Sequence, residues 1–411
     1  MINLKTIWPA SAKLLIFLGL TGSAFTFNLS AAIWYVSPAG NDSNAGISWA
    51  SAKQTVQAAI QVAASNDTVL VTNGTYYLTA PINVTNAIFL TSLNGSGQTI
   101  LDAQQTGRCI LINGYAATVN GFTIRHGVAV NGGGVYCNGG TIQNCVLTGN
   151  QVTGNSTYDG SGGGIYLAYG TLSNCLVYAN AALATNDYQN AWGGGVYSYG
   201  GLVQGCNITS NSCTGYYANG GGAALFGGVA EKCNLANNSA TAYEYAYGGG
   251  VYANILQTSI SSFIEACIVT NNSVTTTDNY VYTAALAAGG GLNIGNGTTV
   301  RSTLVAGNTA LSVAGFTSGA GVSSSGSTIE NCTIAYNSAT TQNGNPGAGG
   351  GVNCGYNDAC YNNIVKFNSA DNGPDNGEVN AYSYPLFYNS DIGAVVPAAN
   401  LTNCINVDPV F

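Results

Sequence analysis

Residues 132–150 read GGGVYCNGGTIQNCVLTGN, residues 162–180 read GGGIYLAYGTLSNCLVYAN, and residues 193–211 read GGGVYSYGGLVQGCNITSN. The frame continues from the triplets Gly220–Gly222, Gly248–Gly250, Gly289–Gly291 and Gly349–Gly351, and Gly319-Ala320-Gly321 fills the one gap. After each triplet comes a cysteine, at 145, 175, 206, 233, 267 and 332, with Thr303 and Asn363 in its place in the other two repeats. Five residues later stands an asparagine in all eight repeats: Asn150, Asn180, Asn211, Asn238, Asn272, Asn308, Asn337 and Asn368. Self-similarity with a period near thirty residues marks a solenoid.

The columns between these landmarks show which way side chains point. Directly after the glycines come Val135, Ile165, Val196, Ala223, Val251, Leu292, Val322 and Val352. Three before the cysteine position stand Ile142, Leu172, Val203, Ala230, Ile264, Val300, Ile329 and Cys360, and two after it Leu147, Val177, Ile208, Leu235, Val269, Val305, Ile334 and Val365. Apolar and polar residues alternate with period two, as in strands, and three-residue steps break the alternation at bends. Each repeat therefore reads as three short strands. No repeat can bury its apolar column alone, so repeats stack about 4.8 Å apart. The expected fold is all-β, a single-stranded right-handed parallel β-helix with ~30-residue coils, its hand following from the crossover rule. The cysteines become an interior file, read as buried thiols because parallel Cβ vectors suit a disulfide poorly. The asparagines become an amide ladder.

The remaining chain divides around this array. Residues 1–32 read as an export signal: Lys5 and Lys13 precede an apolar stretch, and Ser30-Ala31-Ala32 offers a cleavage site. Residues 33–66 form an N-terminal cap in which Val56, Ala59, Ile60 and Ala63 have helical spacing, residues 67–370 the solenoid, and 371–411 a C-terminal segment. Either Tyr382–Phe411 folds across the last coil or the chain is a truncated product. Charged residues make up 6% of the chain, against roughly 25% in an ordinary globular domain, which disfavours helical bundles and charged tails. Without residues 1–32 the balance is 6 basic against 16 acidic groups, or −10 (8 − 2 = 6 basic; no acid is lost). Nucleic acid is excluded as a partner on that charge. No membrane span is expected in the mature chain, and its expected place is secreted, either extracellular or at the outer cell surface.

The Gly-Gly-Gly-Val-Tyr and apolar-x-x-Asn motifs across 107–370 resemble the repeats of polymorphic outer-membrane protein adhesins. The opening Trp34-Tyr35-Val36-Ser37-Pro38, with Gly40-Asn41-Asp42 and Gly74-Thr75-Tyr76, is similar to that of many secreted right-handed β-helix proteins. The resemblance implies the pectin-lyase-like superfamily, some of whose members are pectate lyases. The membrane-inserted barrel that ends those adhesins has no counterpart in this sequence.

Chemistry is sparser. Tyr136, Tyr166, Tyr197 and Tyr252 follow the inward column by one residue and are expected to point outward and stack. The variable loops add Tyr158, Tyr188, Trp192, Tyr216, Tyr217, Tyr243, Tyr245, Tyr247, Tyr280, Tyr282 and Phe316. Tyrosine's apolar body and polar tip suit a glycan or a surface protein, and stacked rings equally serve to hold coils together. An enzyme reading would use Glu231 and Glu265, stacked on adjacent coils at a retaining-glycosidase spacing, with Lys232 and Arg301 as base or clamp. The competing reading is a surface ladder with Arg301 between Glu265 and Glu330. His126, the only histidine, has no partner that the sequence names. Asp371, Asp375 and Glu378 are oxygen donors of the kind calcium takes, at a spacing unlike an EF-hand; no other cofactor is expected. Six Lys/Arg and one histidine leave few bases, so a non-catalytic adhesion or glycan-binding protein leads, and a polysaccharide lyase or glycoside hydrolase is the alternative.

Overall fold

A computed structural model describes residues 31–405 apart from 115, 155–158, 186–187, 256–259, 279–284, 343–346, 348, 372, 375–376, 380–385, 389 and 393–400. Residues 1–30 of the expected signal segment, Tyr158, Tyr280, Tyr282 and Asp375 lie outside the described residues, as does the side chain of Glu378. Among the described residues, the body from Ala32 onward is an all-β parallel solenoid. Each regular coil contributes four strands, not three. Val135–Asn138, Thr141–Gln143, Val146–Thr148 and Gln151–Gly154 represent four sheets of 11, 14, 12 and 14 strands. Pairing is parallel except where Ser369–Ala370 meets Gly373–Pro374. The fourth strand escapes the sequence reading because its inward residues are small.

Register runs column on column: Val135 pairs with Ile165, and Ile165 with Val196. The insertion before Cys267 leaves this intact, since Glu231 still pairs with Glu265. Two bends per coil are made by single residues in the left-handed region. Asn144, Asn174, Lys232, Asn331 and Asn362 precede the cysteine position, and Gly149, Ala179, Ser210 and Asn237 precede the asparagine, all with φ between 51° and 61°. Asparagine and glycine tolerate this conformation best.

The interior holds two cores. The larger is built from the three apolar columns and the cysteine file. All twelve cysteines are free thiols and only Cys404 is not buried. Along the file, the Cys145 backbone N–H meets Cys175 Sγ at 3.4 Å, and each thiol donates to the carbonyl two residues back, as from Cys145 to Gln143 at 3.2 Å. Burial pushes the Cys109, Cys137, Cys213 and Cys332 thiols up to about 12, so they stay neutral. Thr303 Oγ1 and Asn363 Oδ1 replace sulfur as acceptors for Cys267 and Cys332 N–H, at 3.3 and 2.9 Å.

The second core is a narrow chamber of Val152, Ala182, Cys213, Ala240, Val274 and Ala310, facing Ala191, Ala218, Ala246 and Ala287. The asparagine ladder and the glycine triplets separate the two cores. Asn211 Nδ2 and Asn238 Nδ2 each donate to the next Oδ1, at 3.0 and 2.9 Å, and the backbone N–H groups of both residues share these acceptors. The triplets are glycine because the backbone passes against the strand that has just left the asparagine. A Cβ on Gly194 or Gly221 would collide with the carbonyl of Ser212 or Ser239.

At the N-terminal end the helix Val56–Val62 buries Val56, Ala59 and Ile60 against the strands Ile33–Val36, Thr68–Val71 and Ile82–Val84. Thr55 caps it by accepting from Ala58 N–H at 3.2 Å. Ile33–Val36 itself pairs with Thr68–Val71, and strands at Leu386–Tyr388, Asp391–Ile392 and Leu401–Thr402 continue the stack past residue 370. No helix among the described residues is long and apolar enough to cross a membrane.

Candidate functional site

The tyrosines separate into two files. The first lies outside the sheet that follows the triplets. Tyr136 stacks on Tyr166 with ring centroids 4.8 Å apart, and Tyr166 on Tyr197 at 4.7 Å. The file then stops, because Ala224 pairs with both Tyr197 and Tyr252. Tyr252 is therefore not stacked on Tyr197 as expected. Phe226 and Trp192 fill the gap, with Trp192 edge-on to Phe226 at 5.3 Å and to Tyr252 at 5.5 Å. Asp159 pins Trp192 through its indole N–H at 3.0 Å. The result is a small outer core in which Tyr197 is 9% exposed. Burial pushes the Tyr166 hydroxyl up to about 12 and raises Tyr197, Tyr247 and Tyr252 as well. The guanidinium of Arg108 lies over Tyr136, 5.2 Å from its centroid.

The second file runs along the long strands Ser212–Asn219 and Ser239–Tyr247. Tyr188, Tyr216 and Tyr243 follow one another coil by coil at 4.7 and 5.4 Å, tilted by 39° and 35°. Beside them Tyr217 stacks on Tyr245 at 5.5 Å. Tyr188 is 70% and Tyr243 40% exposed. They border a groove of about 550 Å³ that is also lined by Thr185, Thr214, Thr241 and Thr277. A second crevice, of about 440 Å³, lies at the capping helix between Gln54, Gln57, Tyr77 and Pro81 and carries no charged side chain.

The other candidate residues occupy separate places. Glu231 and Glu265 are register partners, as expected, and Arg301 follows Glu265. Each glutamate is engaged by a different cation: Glu231 by Lys232 at 2.6 Å and Glu265 by Arg301 at 2.7 Å. Lys232, with Gln204, holds Glu231 below its ordinary carboxylate range, opposite to what a general acid needs. Glu265 raises Arg301 in the same way. Asp371 Oδ2 accepts from Thr341 N–H and hydroxyl at 2.8 and 2.6 Å, so that oxygen faces donors. No group of three or more His, Cys, Asp or Glu that could hold a metal occurs among the described residues.

Sequence reasoning missed Asp102. This buried carboxylate receives His126 Nδ1 at 3.0 Å and Arg125 Nε at 2.8 Å. Against the burial that would raise it, hydrogen bonds from Gln104 N–H, Arg125 and His126 hold Asp102 below its ordinary range. Its register pairing with Arg125 was the available signal. It also missed Glu244, whose carboxylate raises the Tyr216 phenol and, after burial, adds to the rise of Tyr217 and Tyr245.

No protein-family model matches the chain. No curated protein matches it. Among solved structures, the pectate lyase Pel9A is similar at 15% identity, over 87% of this chain and 81% of that one, with a TM-score of 0.40. A rhamnogalacturonan lyase is similar at 14% identity, over 88% and 87%, with a TM-score of 0.42. The Dettilon tailspike protein is similar at 15% identity, over 76% and 62%, with a TM-score of 0.41. The likeness is one of fold alone, the parallel β-solenoid.

Proposed function

We propose that this chain is an exported, non-catalytic solenoid that binds a glycan along the groove beside Tyr188, Tyr216 and Tyr243. The observation that carries the reading is the periodic file of rings, one per coil at 4.7 and 5.4 Å, in which Tyr188 and Tyr243 are exposed and Tyr216 is half-buried between them, with a threonine of each coil lining the groove. A pyranose chain offers apolar ring faces and a rim of hydroxyls at regular intervals, and such a groove offers the complement. The first tyrosine file does not serve this role, because its rings are spent on one another and on Trp192. Export is supported by the N-terminal pattern of Lys5, Lys13 and the apolar stretch after them. Non-catalysis is supported by the pairing of each carboxylate in the Glu231–Glu265 ladder with a cation.

Titration calorimetry of the whole chain against a panel of neutral and charged oligosaccharides tests the reading. A Tyr188→Ala/Tyr243→Ala double variant should lose at least about tenfold in affinity for any ligand found, because its rings supply the contact area. Binding indifferent to both substitutions, or none to any glycan, would remove the groove from consideration. Turnover of a bound oligosaccharide would make the protein an enzyme instead.

A further inference from the structure

The cysteines of the interior file stand one above another on successive coils, but one pair faces across a bend within a single coil. Cys354 closes the strand Val352–Cys354, Cys360 lies on Ala359–Tyr361, and their sulfurs meet at 3.5 Å. Both side chains are buried in the larger core. Each belongs to an inward column: Ser324 precedes Cys354 in register, and Ile329 precedes Cys360. Among the eight repeats only this one carries cysteine in both columns. Cys137 holds the first column in its own coil, with Ile142 in the second, and donates to the Gly139 carbonyl instead. The bend between the two strands is fixed by buried Asp358. Its carboxylate accepts from Gly355 N–H at 2.6 Å, and from the Ser324 hydroxyl and Ser327 N–H of the preceding coil at 2.6 and 2.8 Å. Disulfide sulfurs lie about 2.05 Å apart, so these two need to close by only about 1.5 Å, which side-chain rotation supplies.

We propose that Cys354 and Cys360 are a disulfide-forming site, oxidised as the protein folds in an oxidising compartment, and that the bond staples the bend of the last regular coil. The oxidant is a disulfide of the glutathione or thiol-oxidoreductase class. One thiolate of the pair attacks it, breaking the donor S–S bond and leaving a mixed disulfide. The second thiolate attacks that, forming the Cys354–Cys360 bond and releasing the donor's other sulfur. The two cysteines lose two electrons and two protons, and the donor leaves as two thiols. Contact with Cys360 and then burial push the Cys354 thiol well above its ordinary range, and buried Phe387 follows Cys360 in register. The exchange therefore belongs to the open coil, before the strand of Phe387 is laid over it. The bond falls where the stack changes character, since the fourth sheet ends in the antiparallel pair of Ser369–Ala370 with Gly373–Pro374. The proposal stands apart from the glycan reading.

The test equilibrates the whole chain in a buffer of oxidised and reduced glutathione, with enough urea to let the coil open, then removes the urea and alkylates the remaining thiols under denaturing conditions. Chymotrypsin cuts after Tyr336 and Tyr356 place Cys332, Cys354 and Cys360 on three separate peptides. Mass spectrometry should find the Cys354 and Cys360 peptides joined and separable by reductant, with Cys145, Cys175, Cys206 and Cys233 alkylated. The oxidised protein should melt at least about 2 °C above the reduced one. Cys360→Val supplies the residue that Val203 and Val300 place in the same column, so the coil keeps its core, and the difference between oxidised and reduced samples should vanish. Alkylation of both Cys354 and Cys360 after oxidation would overturn the proposal, as would a bond from either to Cys332 or to the file. So would a melting point equal in the two states, or a redox-dependent shift that survives Cys360→Val.

Discussion

The two tyrosine files use one residue type and nearly one spacing, yet they end in opposite states. Tyr136, Tyr166 and Tyr197 stack on one sheet, and Phe226, backed by Trp192, packs against the Tyr197 end and leaves Tyr197 9% exposed. In the second file Tyr216 and Tyr243 stand on the long outer strands and Tyr188 on a turn; Tyr188 is 70% and Tyr243 40% exposed, with Tyr216 half-buried between them. Stacking distance does not distinguish a ring that holds coils together from one that meets a ligand. What lies on the other face of the ring does.

Substitution should split the files most sharply at their extremes. Tyr197→Ser removes a buried ring from the outer core and should cost about 3 kcal/mol in chemical denaturation, as large-to-small core changes do. A loss near zero would show that Trp192 and Phe226 close the space without it. Alkaline pH should give the next largest effect. The Tyr166 hydroxyl sits at about 12 in the fold against an ordinary value near 10, so its contribution is complete below about pH 10 and is lost as pH climbs to about 12. Stability should fall across that window, and the fall should be smaller in Tyr166→Phe; an unchanged slope would count against its burial. Tyr188→Ser should change stability by less than about 0.5 kcal/mol, as exposed substitutions do, and still weaken glycan binding. If it destabilises as much as Tyr197→Ser, the second file is also structural.

The stack itself was legible because its requirements repeat. All but one of the eight repeats carry glycine where the backbone crosses the strand leaving the asparagine, Ala320 being the exception, and every repeat carries an amide to bridge to its neighbour. The fourth strand was hidden because its inward column, from Val152 and Ala182 through Cys213 and Ala240, carries side chains too small to read as a core. That column lies two residues after each asparagine and could have been found by the same alignment. The bends were visible only in part: Asn144, Asn174, Asn331 and Asn362 fit the left-handed conformation, whereas Lys232 and Ala266 adopt it without a local signal. The outward tyrosine column was predicted, but its interruption at Ala224 was overlooked, and with it the closure by Trp192. Glu244 lies outside every repeat column, whereas Asp102 stacks in register with Arg125 and meets His126 only through the fold.

Tyrosine nitration read residue by residue by mass spectrometry, with and without saturating oligosaccharide, tests the central claim most directly. Tyr188 and Tyr243 should react in the free protein and be protected by the sugar, while Tyr77 and Tyr336, 65% and 63% exposed elsewhere on the stack, react equally in both samples. Protection that falls on Tyr77 or Tyr336 instead, or nowhere, would contradict the placement of the ligand in the groove.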